Sequence, residues 1–458
     1  MAHLPDMTIA YNCQDQPRLV VPYDTIQEYL QKELQSRKIL PDAINAWSPM
    51  SNLTYATPNT NATVEPAEPF PDDIEWKDYR TKRFMDIGSD ACPPGSPARN
   101  TSISRLDSEV TWKTELGGFV SNFNLSSDLC TMSHEIEEQH GYLFASSSSS
   151  LGDVLLPIFS ECKVSVNNDI LFPALMYWGE DKRYYYVEPE EQTWAKKLSK
   201  LIWRGATAGG VAQADNYFKL HRQRMVQMLN STEIVALDQQ VPVLASSDSG
   251  KTYKSVMLQP AEFAKEHTNV AFTSAMYGCI PEGCSIYDQI FVKAADAPFE
   301  EQFRYKYLID VDGQSFSGRW RAFLQSRSLG IKSTIFREWH DQRLMAWRHF
   351  VPMDNRYDDL FGILTYFLGI DLKPSGFRGK SAGTVHAPAH DDQARELAEQ
   401  GSQWSRKVLR REDMEIYMLR LLLEYRRIID DNRGNIGYAG DGSELDAFEA
   451  AHPQRWED

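Results

Sequence analysis

The 458-residue sequence has no run of 18 or more apolar residues, so no segment has the length an α-helix needs to cross a bilayer. Its first residues, MAHLPDMTIAYNC, lack the basic start and apolar stretch of a secretory leader. Positive charge is in deficit: 48 Lys and Arg face 64 Asp and Glu, a net charge of −16 that argues against binding nucleic acid through phosphate neutralisation. Cysteine is scarce. The six present (Cys13, Cys92, Cys130, Cys162, Cys279, Cys284) permit up to three disulfides in about 15 pairings. Cys279 and Cys284 close a short loop and form the best local pair. No second Cys or His pair lies at ligand spacing beside them, so disulfides or free thiols are expected instead of zinc. No internal repeat is found.

The chain is too long for one core and suits two large α/β domains. Aromatics are generous, with 11 Trp and 21 Tyr. Their faces stack on sugar rings and on uracil, although core packing is the better reading for any single one. Five N-x-S/T sequons (Asn52, Asn61, Asn100, Asn124, Asn230) fit a lumenal protein, and also arise by chance in cytosolic chains.

Along the chain, Met7 to Tyr11 reads as a strand ending in a polar turn at Asn12 to Pro17. A helix from Thr25 to Arg37 follows, with Asp24 as N-cap and Ile26, Tyr29, Leu30 and Leu34 on one face. Ser51 to Asp73 and the serine run Ser146 to Ser150 read as loops. Lys200 to Trp203 is a strand opening a second domain, Arg222 to Asn230 a helix, and Val270 to Ala275 a strand. Gly376 to Asp392 is a loop whose His386 and His390 have a metal-like spacing that Pro388 breaks. Helices from Ala394 to Leu409 and Met414 to Ile429 close the chain, the second with an apolar stripe (Met418, Leu421, Leu422, Tyr425, Ile428). The tail after Asp431 is Gly-rich and acidic. Strands alternating with helices predict doubly wound α/β sheets, whose ligands lie beyond the carboxyl ends of the strands. Asp15, Gly205 and Gly313 each follow a strand in this reading.

The segment from Arg304 to Met353 carries the most chemistry. A strand, Tyr307 to Val311, feeds a Gly/Ser turn, Asp312 to Gly318, and a helix starting near Arg319. A helix start presents unpaired N–H groups and partial positive charge. Arg319 and Arg321 stand there and oppose the dipole, which points to a polyanion such as a diphosphate, or equally to a solvated helix face. Asp310-Val311-Asp312 is a D-x-D, a pattern that can hold a divalent metal such as manganese. Glu338 follows the Leu329 to Lys332 strand, where dinucleotide folds place an acid on ribose hydroxyls; a solvated glutamate is the bland reading. Phe316 or Trp339 suits stacking on uracil, and either suits the core. His349 reads as a buried, satisfied histidine.

These residues resemble the signature of glycosyltransferase family 90, which contains fungal capsule-associated xylosyltransferases and animal protein O-glucosyltransferases. The matching words are Lys306-Tyr307-Leu308, Asp312-Gly313, Ser317, Arg319, Glu338-Trp339, and Trp347-Arg348-His349-Phe350-Val351-Pro352. In family order before them come Asn12-Cys13-Gln14-Asp15-Gln16-Pro17-Arg18, Leu156 to Ser160 with Asp169-Ile170-Leu171-Phe172-Pro173, and Trp203-Arg204-Gly205; Gly401-Ser402-Gln403-Trp404 follows. The WRG and DVDG wording is closer to the fungal branch.

The resemblance implies a GT-B arrangement of two Rossmann-like domains. The expected division is 1–195 on the acceptor side, 196–410 for the nucleotide sugar, and 411–458 as a returning helix and polar tail. It implies an inverting, metal-independent transferase moving xylose or glucose from a UDP-sugar to a glycan, glycolipid or protein hydroxyl, with no cofactor beyond that donor. Asp15 maps to the family's base, an ionised carboxylate suited to a proton that leaves late; outside that context it is a turn Asp before Pro. Arg204 and Arg319, with the N–H groups of the Gly205, Gly313 and Ser317 turns, become the diphosphate contacts, and ion pairing is the bland account of either arginine. Asp169 is a second carboxylate for sugar or acceptor positioning, or else a cap. Metal ligands are expected to be none. Family members enter the secretory pathway, so an endoplasmic reticulum or Golgi lumen is expected, with the leader outside this sequence. A catalytically silent nucleotide-sugar or glycan binder is the competing reading, against which the retained Asp15, Arg204 and Arg319 count.

Overall fold

The computed structural model describes residues 4–36, 47, 76–78, 83–146, 150–187, 191–230, 240–246, 251–273, 276–291, 293–372, 385–436 and 450. The expected loop at 51–73 lies outside the described residues, as do most of the serine run and all of 376–384. The chain divides into two compact units. The smaller comprises residues 1–9, 26–72 and 415–458, the larger 10–25 and 73–414.

Within the larger unit, five parallel strands form one sheet. Their order is Thr268–Phe272, Leu198–Gly205, Tyr305–Val311, Leu329–Ser333 and Val351–Pro352. Parallel strands covered on both faces read as continuous apolar runs, and Leu329–Ser333 is buried throughout. One face carries Leu201, Trp203, Tyr307, Ile309, Val311 and Ile331 into the main core, against Leu360, Ile363, Leu364 and Phe367 of the Leu360–Leu368 helix. Burying each such side chain contributes roughly 1.5–3 kcal/mol. The opposite face is charged: the register pairs Asp310 with Lys332, so an acid and a base share one side of adjacent strands.

A second parallel sheet, in the order Ala10–Tyr11, Ile158–Ser160, Ile170–Leu171, is short and lies in the same unit. An antiparallel pair, Lys163–Val164 with Phe336–Arg337, joins loops that leave the two sheets. Disulfides link Cys92 to Cys130 and Cys279 to Cys284, while Cys13 and Cys162 are free thiols.

Several expected elements shift. The first strand is only Ala10–Tyr11, because the sheet it joins is two to three residues deep. The following helix is Tyr23–Ser36, which puts Asp24 in its first turn, where a carboxylate meets the positive end of the dipole; none of its residues is buried. The Asp391–Val408 helix begins three residues early and has two acids, Asp391 and Asp392, in its first turn. The Arg411–Ile429 helix has Tyr425 buried but Ile428 53% exposed, so its apolar stripe is covered only in part. In the smaller unit Arg426 donates to the Asp6 carbonyl (2.9 Å) and Tyr425 to that of Thr8 (3.0 Å).

Candidate active site

Asn12 folds the loop after the first strand. Its Oδ1 accepts from the Gln14 amide at 3.0 Å and from Arg18 Nε at 3.2 Å; its Nδ2 donates to the Gln16 carbonyl at 2.8 Å and to Ser160 Oγ at 2.9 Å. A short amide side chain turning on its own backbone is an Asx turn. Asp15 sits exposed at its tip. Asp169 holds the loop from behind. Only 1% exposed, it accepts from the Arg18 amide (2.8 Å), the Leu19 amide (2.8 Å) and Ser160 Oγ (2.6 Å). Burial pushes its carboxyl up, and these hydrogen bonds pull it back. Its oxygens are taken up by the loop carrying Asp15. Beside Asp15 stands a second carboxylate, Glu161, pushed up by burial and also by the charge of Asp15.

The turn after Tyr305–Val311 meets this loop directly. Gln16 Nε2 donates to the Gln314 carbonyl at 2.6 Å, and Gln16 Oε1 accepts from Ser146 Oγ at 2.8 Å. Gln314 Oε1 in turn accepts from the Gly210 amide at 3.2 Å. Buried Cys162 donates to the Asp15 carbonyl at 3.4 Å and also bonds Ser315 and the Phe316 backbone. The Asp15 loop and the 312–317 turn are therefore hydrogen-bonded together.

Two arginines share the indole of Trp203: Arg319 at 5.5 Å and Arg222 at 5.6 Å from its centre. Gly205 permits this, since a Cβ there would lie 2.7 Å from the Trp203 ring. Arg319 folds back beneath its own turn, donating to Ser317 Oγ (3.1 Å), the Arg204 carbonyl (3.1 Å) and the Val311 carbonyl (3.3 Å). Asp310 lies 3.5 Å from it and 3.2 Å from Lys332 Nζ, and accepts from Ser317 Oγ. Arg222 donates to the carbonyls of Asp312 (2.7 Å) and Ala206 (3.0 Å), and its Nη2 flanks Gly313, where a Cβ would approach it to 3.0 Å. Among the described residues no carboxylate lies within ion-pair distance of Arg222. Burial and the charge of Arg319 pull its pKa down to about 9. The charges of Asp310 and Asp312 oppose that fall, but from beyond ion-pair distance, and a buried cation so placed is suited to an incoming anion.

The other candidates fall as follows. Arg204 brings its carbonyl to Arg319, while its guanidinium turns to the next strand and donates to the Asn269 carbonyl (2.7 Å) and side chain. Arg321 leaves the helix start altogether, donating to the carbonyls of Leu409 (2.9 Å) and Tyr177 (2.9 Å); it caps the negative end of the Asp391–Val408 helix. Glu338 is 4% exposed and accepts from the Tyr177 hydroxyl at 2.8 Å, with Lys332 at 3.6 Å. Phe316 is buried edge-on to Tyr177, and Trp339 stacks on His340. His349 is 8% exposed and accepts from the Met345 amide.

The D-x-D carboxylates point inward. Asp312 accepts from Thr334 Oγ1 and, at 2.9 Å, the Ile335 amide, and contacts His140 Nε2 at 3.2 Å. Burial pushes Asp312 up to about 6 and His140 down to about 3. His140 stacks on His221, whose Nε2 meets the Asp312 carbonyl at 2.8 Å. Two acidic groups among the described residues have cation-binding spacing, Glu338–His340–Asp341 and Glu109–Asp354–Asp358. Each already has a lysine beside it: Lys332 is 3.6 Å from Glu338, and Lys113 is 2.7 Å from Asp354.

Arg222, Lys332, His140, Gln314 and Glu161 escaped the sequence reading. Arg222 left one trace, as the start of the helix following the Trp203-Arg204-Gly205 strand.

A parallel sheet with glycine turns and buried cations at the carboxyl ends of its strands defines a Rossmann-like α/β protein. Residues 144–368 match the sequence model of Glycosyl transferase family 90, so this stretch of the chain is a domain of that family. It is 21% identical over 297 residues to human protein O-glucosyltransferase 1, covering 60% of this chain and 58% of the relative. The bovine protein of that name is 25% identical over 297 residues, with coverage of 60% and 58%. An Aedes aegypti O-glucosyltransferase rumi homolog is 27% identical over 141 residues, 30% of each chain. The chain thus spans 58% of the length of its O-glucosyltransferase 1 relatives.

Proposed function

We propose that the protein is an inverting, metal-independent glycosyltransferase that uses a UDP-sugar, xylose or glucose, on the hydroxyl of a protein or glycan acceptor. The observation that supports this reading is the hydrogen bond from Gln16 to the Gln314 carbonyl, which joins the loop of the exposed Asp15 carboxylate to the turn that Arg222 and Arg319 contact. Asp15 takes the acceptor proton as the oxygen attacks the anomeric carbon from the face opposite the diphosphate. Arg222 and Arg319, with the N–H groups of the Gly205 and Ser317 turns, stabilise the departing diphosphate; one such contact is worth about 2–4 kcal/mol in the transition state. Asp169, Asp310 and Glu338 act by holding these groups in place.

The relatives' names favour a protein acceptor, and the DVDG and WRG wording favours a glycan or glycolipid. We read the fold as GT-B, with 1–195 on the acceptor side, 196–410 on the donor side and 411–458 as the returning segment. Two disulfides and five sequons suit the lumen of the secretory pathway. The test is UDP release from a panel of UDP-sugars, with and without EDTA, in the wild type and Asp15→Asn. Turnover that survives EDTA and collapses in the variant is expected. Activity abolished by EDTA would revive the D-x-D, and UDP binding without turnover would favour a silent binder.

A further inference from the structure

Trp347 takes no part in the site above, yet its backbone is strained. Its φ of 62° lies in the left-handed region that bulky side chains rarely adopt. Its amide donates to the Phe350 carbonyl at 2.8 Å and its indole Nε1 to the Val120 carbonyl at 2.6 Å, so the ring is pinned while 37% of the residue stays exposed. Phe119 meets the indole edge-on at 6.0 Å. These two rings form a corner of a pocket of about 560 Å³. Tyr366 also lines it, and the Asp391–Val408 helix lines it with Gln393, Glu396 and Gln400. The spacing of three, then four, places all three on one helix face. They are ordered: Tyr366 donates its hydroxyl to Gln393 Oε1 at 2.6 Å, and Gln400 Nε2 donates to Glu396 Oε1 at 3.0 Å.

We propose that this pocket binds a segment of neutral oligosaccharide, a sugar site that shares no lining residue with the Asp15–Arg222–Arg319 site. Fixed aromatic rings take the C–H faces of pyranoses, and carboxamide and carboxylate groups on the facing wall take their hydroxyls. Among the described residues no Lys or Arg lines the pocket, and Glu396 repels anions, which disfavours a phosphate, sulfate or uronate. A hydrocarbon chain or apolar helix would bury Gln393, Glu396 and Gln400 without new partners, at roughly 1–3 kcal/mol for each unsatisfied group. Strain of this kind persists only where the surroundings over-determine it, and it gathers at ligand sites. The proposal rests on the transferase reading only for the source of the glycan, an acceptor or its extension.

The test is calorimetric titration of the full chain with uncharged xylo-, gluco- and manno-oligosaccharides of about three to six units, the length such a pocket volume admits. Saturable binding of at least one series is expected, unchanged by saturating UDP and by Asp15→Asn. Trp347→Ala and, separately, Glu396→Lys should each weaken it about tenfold or more. Glu396 is exposed on the helix, so that second variant keeps the fold if Trp347→Ala does not. Binding to none of the series overturns the proposal. So does binding that UDP displaces, or binding that both variants retain. Failure of the transferase reading would show separately, as absent UDP release with glycan binding intact.

Discussion

Gln16 donates its side-chain amide to the main-chain carbonyl of Gln314 at 2.6 Å, across 298 positions of sequence. The bond joins the turn that presents Asp15 to the turn that wraps Arg319. Neither glutamine touches a reacting atom in the proposed chemistry; both position. Gln16→Ala should lower turnover by about 10- to 100-fold, the scale of a small misplacement of a reacting group, with little change in donor KM. Steady-state UDP release read alongside thermal melting checks this. A fall in Tm without a fall in kcat would sink it.

Arg222 and Arg319 share an indole but differ in their partners, so their loss should differ. Arg222 has no carboxylate within ion-pair distance among the described residues, whereas Arg319 lies 3.5 Å from Asp310. Arg222→Gln should weaken UDP binding about tenfold or more while leaving the free protein as stable or more so. Arg319→Gln should cost both affinity and stability. Calorimetric UDP titration and urea unfolding of the two variants separate these outcomes.

Asp310 neutralises two buried cations, Arg319 and Lys332, and anchors Ser317. Asp310→Asn removes that charge and should destabilise the fold by about 3–5 kcal/mol. If the D-x-D instead held a metal needed for turnover, EDTA and the substitution would abolish activity at unchanged stability.

Buried His140 has its pKa pulled down to about 3 by burial, with the charge of Arg224 adding to it. Between about pH 6.5 and 3 the unfolded chain therefore binds a proton that the folded chain refuses, so this group's contribution to stability falls on acidification. Asp312 has the opposite sign. Burial raises it to about 6, so its stabilising proton is held in acid and lost as pH rises through that value. Removing His140 leaves only the second slope. The stability difference between wild type and His140→Gln should grow with pH from 4 to 6, on the order of 1 kcal/mol per unit. Urea unfolding at pH 4, 5 and 6 measures it.

Cys92 and Cys130 close a loop of 38 residues, Cys279 and Cys284 one of 5. Chain entropy makes the first worth about 4 kcal/mol and the second about 2. Unfolding of Cys92→Ser and Cys279→Ser should show that order; equal losses would contradict it.

Much of the site's scaffold was legible in sequence. The apolar run before Asp312 announced a buried strand, Pro17 and Asn12 announced the turn carrying Asp15, and Gly205 closed a strand as its neighbours suggested. Roles assigned to individual charged side chains were less legible. Arg321 caps a helix end 88 residues downstream, Arg204 contributes a carbonyl to its neighbour, and Asp169 is enclosed by the loop it holds. Long charged side chains reach several ångströms in any direction, and periodicity places only their Cα atoms.

The sequence by itself determined the class of this protein. Alternating apolar strands and helices commit it to parallel sheets, because a strand buried on both faces must be apolar throughout and its crossover must be long. Ordered motif blocks then set the family. Only the tertiary structure decided which cations gather at the candidate site. Arg222 reaches it from a helix that begins after the WRG strand, and its charge matters because neighbouring carboxylates were drawn to Lys332, Arg319 and His140 instead. That allocation depends on register between strands distant in sequence, and on burial, which raises the cost of any charge left unmatched.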